Sequence, residues 1–226
     1  MDSDFVQTLW LTGKLATLTT IILLLLGLPL AYILAYKHFR LKPIVESLIS
    51  MPMVLPPTVL GFYVLIAYSP QNAFGKFLES TLHVRLAFSF EGILVASIIF
   101  SMPFMIQPLV NGFELIPKSY REAAYTLGKS PFTTFLKVLM PNIRPSILTA
   151  VAMTFAHCIG EFGLVIMVGG NMPGETRVAS VAIYDAVQQM DYATANRYSL
   201  ILFLISLAIL SLIYGFNGKK KRDVRN

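Results

Sequence analysis

A chain of 226 residues that is 55% hydrophobic and only 13% charged is too apolar for a soluble domain, where charged residues make up about a quarter. Its net charge of +6 does not point to nucleic acid, because the basic residues stand beside apolar segments rather than among aromatics on an exposed face. The single cysteine, Cys158, excludes an internal disulfide and a thiolate metal cluster, and reads as a small packing residue.

In chain order, Leu15–Tyr36 is the first run without Asp, Glu, Lys or Arg; Ser47–Gly75, Gly92–Phe113 and Tyr198–Gly218 are the others. Each exceeds the roughly 20 residues that a helix needs to cross about 30 Å of hydrocarbon. A fifth segment, Ile147–Val168, carries one charge, Glu161. The expected fold is an all-α membrane protein, one domain over 1–226, with five spans at about 15–36, 47–68, 92–113, 147–168 and 198–218 and a polar loop at 114–144. Phe5–Leu11 reads as an interfacial turn before the first span. Asp2 and Asp4 occupy the place of a signal peptide's basic region, and the positive charges come after the apolar run. The first span is therefore expected to remain as a reverse-oriented anchor.

Lys and Arg set the expected orientation, because they gather on the cytoplasmic side. Lys37, Arg40 and Lys42 follow the first span; Lys118, Arg121, Lys129, Lys137 and Arg144 surround the polar loop; Lys219, Lys220, Lys221, Arg222 and Arg225 close the chain. Against these 13 stand five on the other side: Lys14, Lys76, Arg85, Arg177 and Arg197. The bias predicts an external N-terminus, with the polar loop and C-terminus inside.

Pro52, Pro56 and Pro57 fall within the second run, and no regular helix passes undisturbed through all of them. Backbone freed at membrane depth is tolerated where protein buries it or a cavity hydrates it, and broken transporter helices line substrate paths. Pro52, Pro56, Pro57 and Thr58 are therefore candidate pore-lining residues, against the plainer reading of a kink in a packed bundle. Pro103 and Pro108 predict a second break in the third span and add Gln107 to the candidates. Intramembrane carboxylates are functional candidates by default. Glu161, in C-I-G-E-F-G, is expected to pair with Arg177 or His157, and the favoured reading is a buried pair tying the outer loop to the span. In that outer loop, Gly169–Arg197, a turn precedes a helix over Val178–Met190 with Ala179, Ile183, Ala186, Val187 and Met190 on one stripe.

The polar loop holds E-A-A-Y-T-L-G-K-S-P-F-T-T-F-L-K-V-L-M-P, from Glu122 to Pro141. Pro117 and Ser119 can start a helix, and Ser119 with Glu122 matches a capping box. Ala123, Ala124 and Leu127 are expected on one small apolar face, and Gly128 supplies the positive φ that ends the helix. Lys129 stands near the negative end of its dipole, and Pro131 prevents continuation. A short apolar face that cannot be buried locally docks into a partner groove. The plainer reading is an amphipathic linker lying on lipid.

Glu122-Ala123-Ala124, then Gly128, then Val138-Leu139-Met140-Pro141 in register resembles the signature loop of ABC-importer membrane subunits: EAA, three residues, G, nine residues, I-x-L-P. Val138 and Met140 are mild apolar departures from it. G-E-F-G, G-G-N-M-P-G-E-T and A-I-Y-D-A-V-Q extend the resemblance to the molybdate-permease subunits, with sulfate and thiosulfate relatives as nearest alternatives. The resemblance implies a homodimer around one central path in a bacterial inner membrane. It also implies cytoplasmic ATPase subunits engaged through Ser119, Glu122, Ala123, Ala124, Leu127, Gly128 and Pro141, and an external solute-binding protein that delivers the oxyanion. Transport would proceed by alternating access. A stand-alone secondary anion carrier and a scaffold subunit are the rival classes. Gly128-Lys129-Ser130 looks like the end of a P-loop, but Ala123 stands where the first glycine is required, so the chain is not expected to be an ATPase. His38, His83 and His157 are far apart, and no metal or cofactor is expected.

Overall fold

The computed structural model describes residues 3–223; Asp2 and Arg225 of the charge reading lie outside it. Every regular element among these residues is helical. α1 (Ser3–Tyr36) runs unbroken for 34 residues, about 50 Å at 1.5 Å per residue, so Phe5–Leu11 belongs to the first long helix. Packing explains the difference. Phe5 stacks on Tyr198 at 3.6 Å, and Thr12 accepts a hydrogen bond from the Ala179 N–H at 2.8 Å, so this part of the helix is covered by protein.

α2 (Lys42–Val54) and α3 (Pro57–Tyr68) meet at 114°. Leu55 and Pro56 each precede a proline, whose ring crowds the helical conformation of its predecessor, and both are extended, with ψ of 137° and 136°. α4 (Ala73–Leu82) follows. α5 (Phe90–Glu114) is a single helix of 25 residues with Pro103 and Pro108 inside it, so the predicted break in the third span does not occur. A lone proline removes one ladder hydrogen bond, whereas Pro56-Pro57 forces two successive residues out of helical space.

The polar loop is itself helical: α6 (Lys118–Thr126), α7 (Pro131–Thr134), a π-helical turn (Phe135–Leu139) and α8 (Met140–Asn142). α9 (Arg144–Gly160) leaves it at 74°. The predicted fourth span then stops as a helix at Gly160 and resumes as α10 (Gly163–Gly169). α11 (Ala179–Gln188) and α12 (Tyr192–Asp223) complete the chain. α11 buries Ala179, Val181, Ala182 and Ala186, while Val187 of the predicted stripe is exposed and Met190 lies beyond the helix, which ends at Gln188, with φ 59°.

Among the described residues, Asp4–Tyr36, Phe90–Glu114 and Tyr192–Leu212 are each long and apolar enough to cross a membrane, and counting the two bent pairs gives up to five crossings. α1 and α5 run side by side in the same direction: Lys14 lies 4.1 Å over the Phe90 ring near one end, and the Tyr36 hydroxyl donates to the Phe113 carbonyl at 2.8 Å near the other. α9 and α10 run back along α5, with Ser146 against Gly112 and Gly169 against Ile93. Between apolar helices in lipid, close approach through small residues provides the cohesion. Gly27, Gly112, Ala31, Ala96 and Ala150 supply it here: a Cβ on Gly27 would already stand 3.1 Å from Met105.

Candidate functional site

α3 and α10 begin beside one another within the bundle and run parallel towards the end opposite the α6–α8 loop. A Cβ on Gly163 would stand 2.9 Å from Cβ of Pro57, and one on Gly61 would stand 2.8 Å from Cβ of Met167. Both helices follow a break. At the second break Glu161 (φ −70°, ψ 125°) and Phe162 (φ −124°, ψ −59°) leave the helical path. Gly163 is required for close approach rather than for its own dihedral angles. This break escaped the sequence reading; the only local signal is the G-E-F-G bracket, Gly160 to Gly163.

Pro56, Pro57 and Thr58 are exposed at the start of α3, on a face that also leaves Val54, Phe62 and Tyr63 uncovered. Pro52 is buried in α2, and Gln107 donates from Nε2 to the Ser50 hydroxyl at 3.0 Å beside a cavity of about 240 Å³ between α2 and α5. The candidate path residues therefore divide. Pro56–Thr58 sit at the paired breaks, and Pro52 and Gln107 belong to the α2–α5 contact. From Ser47 to Gly75 and from Phe162 to Gly174 there is no Asp, Glu, Lys or Arg.

The loop has an anchored base and an apolar tip. Pro117 (φ −56°, ψ 137°) flanks the start of α6, and its carbonyl accepts from the Tyr120 N–H at 3.1 Å. Ser119 thus lies within the first turn and caps nothing, so the predicted Ser119–Glu122 capping box is not formed. Gly128 has φ 71°; its N–H donates to the Tyr125 carbonyl at 2.9 Å, and that of Lys129 to Ala124 at 3.0 Å. These two bonds make a Schellman cap. The predicted apolar face is split: Ala124 is buried, whereas Ala123 is exposed and Leu127 is 76% exposed.

Ser130 caps α7 by accepting from the Thr133 N–H at 3.2 Å, and Phe132 beyond it is 71% exposed. Pro141, in α8, is exposed. At the base, the Arg121 guanidinium lies 4.5 Å over the Tyr36 ring, and Tyr32 meets Phe113 and Phe135 edge-on. Sequence reading missed these aromatic supports because they come from three separate helical segments.

Glu161 is 4% exposed, and its carboxylate makes no ion pair or hydrogen bond. The predicted pairing fails for both partners. Arg177 lies 3.4 Å from Asp185 on α11 and donates to Asn171, while His157 stacks on Phe104 at 4.0 Å. α11 is nevertheless tied to the break: the Ser180 hydroxyl donates to the backbone carbonyl of Glu161 at 2.6 Å.

A helical membrane bundle with paired internal breaks and a projecting loop on an anchored base is the architecture of a permease, the membrane subunit of a transport system. Residues 27–224 match the family of binding-protein-dependent transport system inner membrane components, and the chain belongs to that family of ABC importer permeases. It is 43% identical over 204 residues to the molybdenum transport system permease protein ModB of Azotobacter vinelandii, covering 90% of both chains. It is 33% identical over 196 residues to a probable sulfate transport system permease protein, cysT, of Nephroselmis olivacea, covering 87% of this chain and 69% of the relative. Its fold is similar to that of a chain in the crystal structure of a bacterial alginate ABC transporter in complex with an alginate pentasaccharide-bound periplasmic protein. That match has a TM-score of 0.78 at 16% identity and covers 94% of this chain and 78% of the other.

Proposed function

We propose that the chain is the molybdate-translocating subunit of an ATP-driven importer. It works as a homodimer in a bacterial inner membrane with its N-terminus outside. Cytoplasmic ABC ATPases engage the loop through Glu122, Ala123, Leu127 and Gly128, with Ser119, Ala124 and Pro141 shaping it, and hydrolysis belongs to those separate subunits. An external binding protein delivers the oxyanion. The 43% identity to a molybdenum permease across nine tenths of both chains carries the substrate reading. The partner reading is supported by the exposed apolar tip of the loop, Leu127 and Phe132, which a water-soluble partner would cover.

Alternating access gives each part a role. ATP binding draws the paired loops together, and the anchored base passes that movement to α1, α5 and α9. The path then opens where α3 and α10 begin. No charged residue lies on α3 or α10, so the anion meets the Thr58 N–H and the positive dipole end of α3. Weak contacts of this kind let an anion leave as readily as it enters.

The test is uptake of labelled molybdate into proteoliposomes containing this chain, its ATPase and the binding protein. Uptake is expected to require ATP and all three components, and excess sulfate should not abolish it. Uptake driven by an ion gradient without the ATPase would identify a secondary carrier instead. Uptake of sulfate in preference to molybdate would move the chain to the sulfate branch.

A further inference from the structure

The face of α1 turned away from the bundle serves neither the path nor the loop. Leu11, Thr12, Leu15 and Ala16 are buried against neighbouring helices, while Trp10, Lys14, Thr17, Ile21 and Leu25 are exposed on the opposite side. Their spacing of three and four residues makes one continuous stripe along the helix. At one end of the stripe Leu9, Trp10, Gly13, Lys14, Thr17 and Leu18 line a groove of about 400 Å³. Gly13 keeps it open, since a Cβ there would meet no heavy atom within 4 Å.

Lys14 is the one charged residue of α1 after Asp4. From Lys14 to Tyr36 the helix rises about 33 Å at 1.5 Å per residue, close to the thickness of the hydrocarbon layer. Lys14 therefore stands at one membrane boundary, with Trp10 one turn beyond it, at the level where tryptophan gathers in membrane proteins. From Lys14 to Leu25 the stripe covers about 16 Å, the depth of one leaflet.

The protein leaves this lysine's charge uncompensated. Its Nζ lies 4.1 Å over the Phe90 ring, and among the described residues it makes no ion pair. Glu91, beside Phe90, is exposed and does not reach it; Glu79 pairs with Arg85, and Asp185 with Arg177.

We propose that the groove binds one anionic phospholipid, with its phosphodiester on the Lys14 ammonium, its headgroup beside Trp10 and an acyl chain along Thr17, Ile21 and Leu25. The occupant follows from the order of the groups. A cation at the boundary, an amphipathic indole above it and an apolar strip one leaflet deep below it match a phospholipid part by part. A free anion would satisfy Lys14 and leave the strip without an occupant. A second protein surface would have to bring a carboxylate to a membrane boundary. The assignment to the outer leaflet rests on the orientation proposed above; the binding chemistry does not.

The experiment uses the assembled permease–ATPase complex in phosphatidylcholine nanodiscs. Trp10→Phe removes the chain's single tryptophan, and Ile21→Trp places a reporter on the strip; Trp10→Phe alone gives the background from the ATPase. Phosphatidylglycerol or phosphatidylcholine with brominated acyl chains is added at the same low mole fraction, and quenching of the reporter is read. Brominated phosphatidylglycerol is expected to act as if roughly fivefold more concentrated at the site, the order of effect of one basic residue on an anionic lipid. Adding Lys14→Gln should bring the ratio to about one, and Lys14→Arg should retain the preference. Equal quenching by the two lipids with Lys14 present, or a preference that survives Lys14→Gln, overturns the proposal. If Lys14→Gln does not assemble, Gly13→Leu decides: its side chain fills the groove from open space, and an unchanged preference overturns the site. Absence of quenching by either lipid shows the strip covered by protein, a second copy or a partner, and also overturns it. Loss of the preference in excess inorganic phosphate, at ionic strength matched with chloride, reveals a site for free anions and rejects the lipid. Both leaflets carry the probe, so the lipid result stands even if the orientation is reversed.

Discussion

Gly128 offers a direct way to perturb the loop without touching the bundle. Its φ of 71° lies in the left-handed region, and a Cβ placed there would meet no heavy atom within 4 Å, so substitution adds backbone strain and no clash. That strain is about 1–2 kcal/mol for an ordinary L-residue, less for Asn and more for a β-branched side chain. The expected order is therefore Gly, Asn, Ala, Val. A loss of 1–2 kcal/mol corresponds to a factor of about 5–30 in the population of the closed cap. Opening the cap releases the bonds from Gly128 to Tyr125 and from Lys129 to Ala124, which hold Leu127 outward. In the reconstituted complex, Gly128→Val should lower transport and transport-linked ATPase activity by that order while membrane abundance stays unchanged. Transport at the wild-type rate would refute a role for the left-handed cap in shaping the tip. A loss in Gly128→Asn equal to that in Gly128→Val would refute backbone strain as the cause.

Three further predictions concern other parts of the molecule. Single cysteines at Lys129 and Glu175, both exposed, should react oppositely with a membrane-impermeant thiol reagent in intact cells in a Cys158→Ser background; labelling at 129 but not 175 reverses the orientation (Thr176, fully buried, would be a poor reporter). Gly163→Ala should separate α3 from α10, since its Cβ would lie 2.9 Å from Pro57, at a cost of about 1–3 kcal/mol; wild-type unfolding and uptake in that variant would show that the breaks do not need this contact. Asp191 accepts from Thr194 at the start of α12, which holds its carboxyl below the usual range. A depressed pKa means that the ionised cap stabilises the fold above about pH 4 and that this contribution is lost as pH falls through the folded value. Asp191→Ala should therefore lower the unfolding midpoint at pH 7, with the gap to wild type narrowing as pH falls below about 4; a gap independent of pH would refute the charged cap.

Much of the bundle was legible because lipid imposes a coarse rule on long apolar runs, and the same rule hid its breaks. A hydropathy run does not distinguish Leu55-Pro56, where the helix turns by 114°, from Pro103 or Pro108, where it continues. The physical difference lies in adjacency, since two consecutive prolines constrain two consecutive predecessors. The break at Glu161 was less visible still, because Gly160 and Gly163 are ordinary in apolar helices, and the role of Gly163 depends on Pro57, over a hundred residues away. In the loop, the left-handed turn at Gly128 follows from glycine chemistry alone. Ser119 was misassigned because Pro117 takes the flanking position two residues earlier. Electrostatic pairing was the least legible feature. Glu161 was expected to pair with Arg177 or His157, and the tertiary fold instead brings Arg177 to Asp185.

Under the proposed function, the paired breaks and the charge-free stretches around them bear on one problem, moving a dianion through a low-dielectric bundle. A fixed Lys or Arg beside Thr58 would attract the anion, but attraction strong enough to offset its desolvation would also delay release, and conduction requires binding weak enough to leave. Peptide dipoles at the start of α3 provide a positive potential without a fixed charge, and they move with the helix when the break moves. That arrangement demands a stiff frame, because dipoles help only when aimed. The frame is α1, α5 and α9, drawn together at Gly27 and Gly112, where an added Cβ would stand 3.1 Å from Met105 and 2.5 Å from the Ser146 hydroxyl. α3 and α10 are held to each other by equally short contacts at Gly61 and Gly163, and α10 is seated on the frame as well, where a Cβ on Gly169 would stand 2.6 Å from Ile93 of α5. Glu161 lies at the turn that joins α9 of the frame to α10, and its backbone is fixed there by Ser180. A residue at that junction can alter the relation between frame and path without touching the anion.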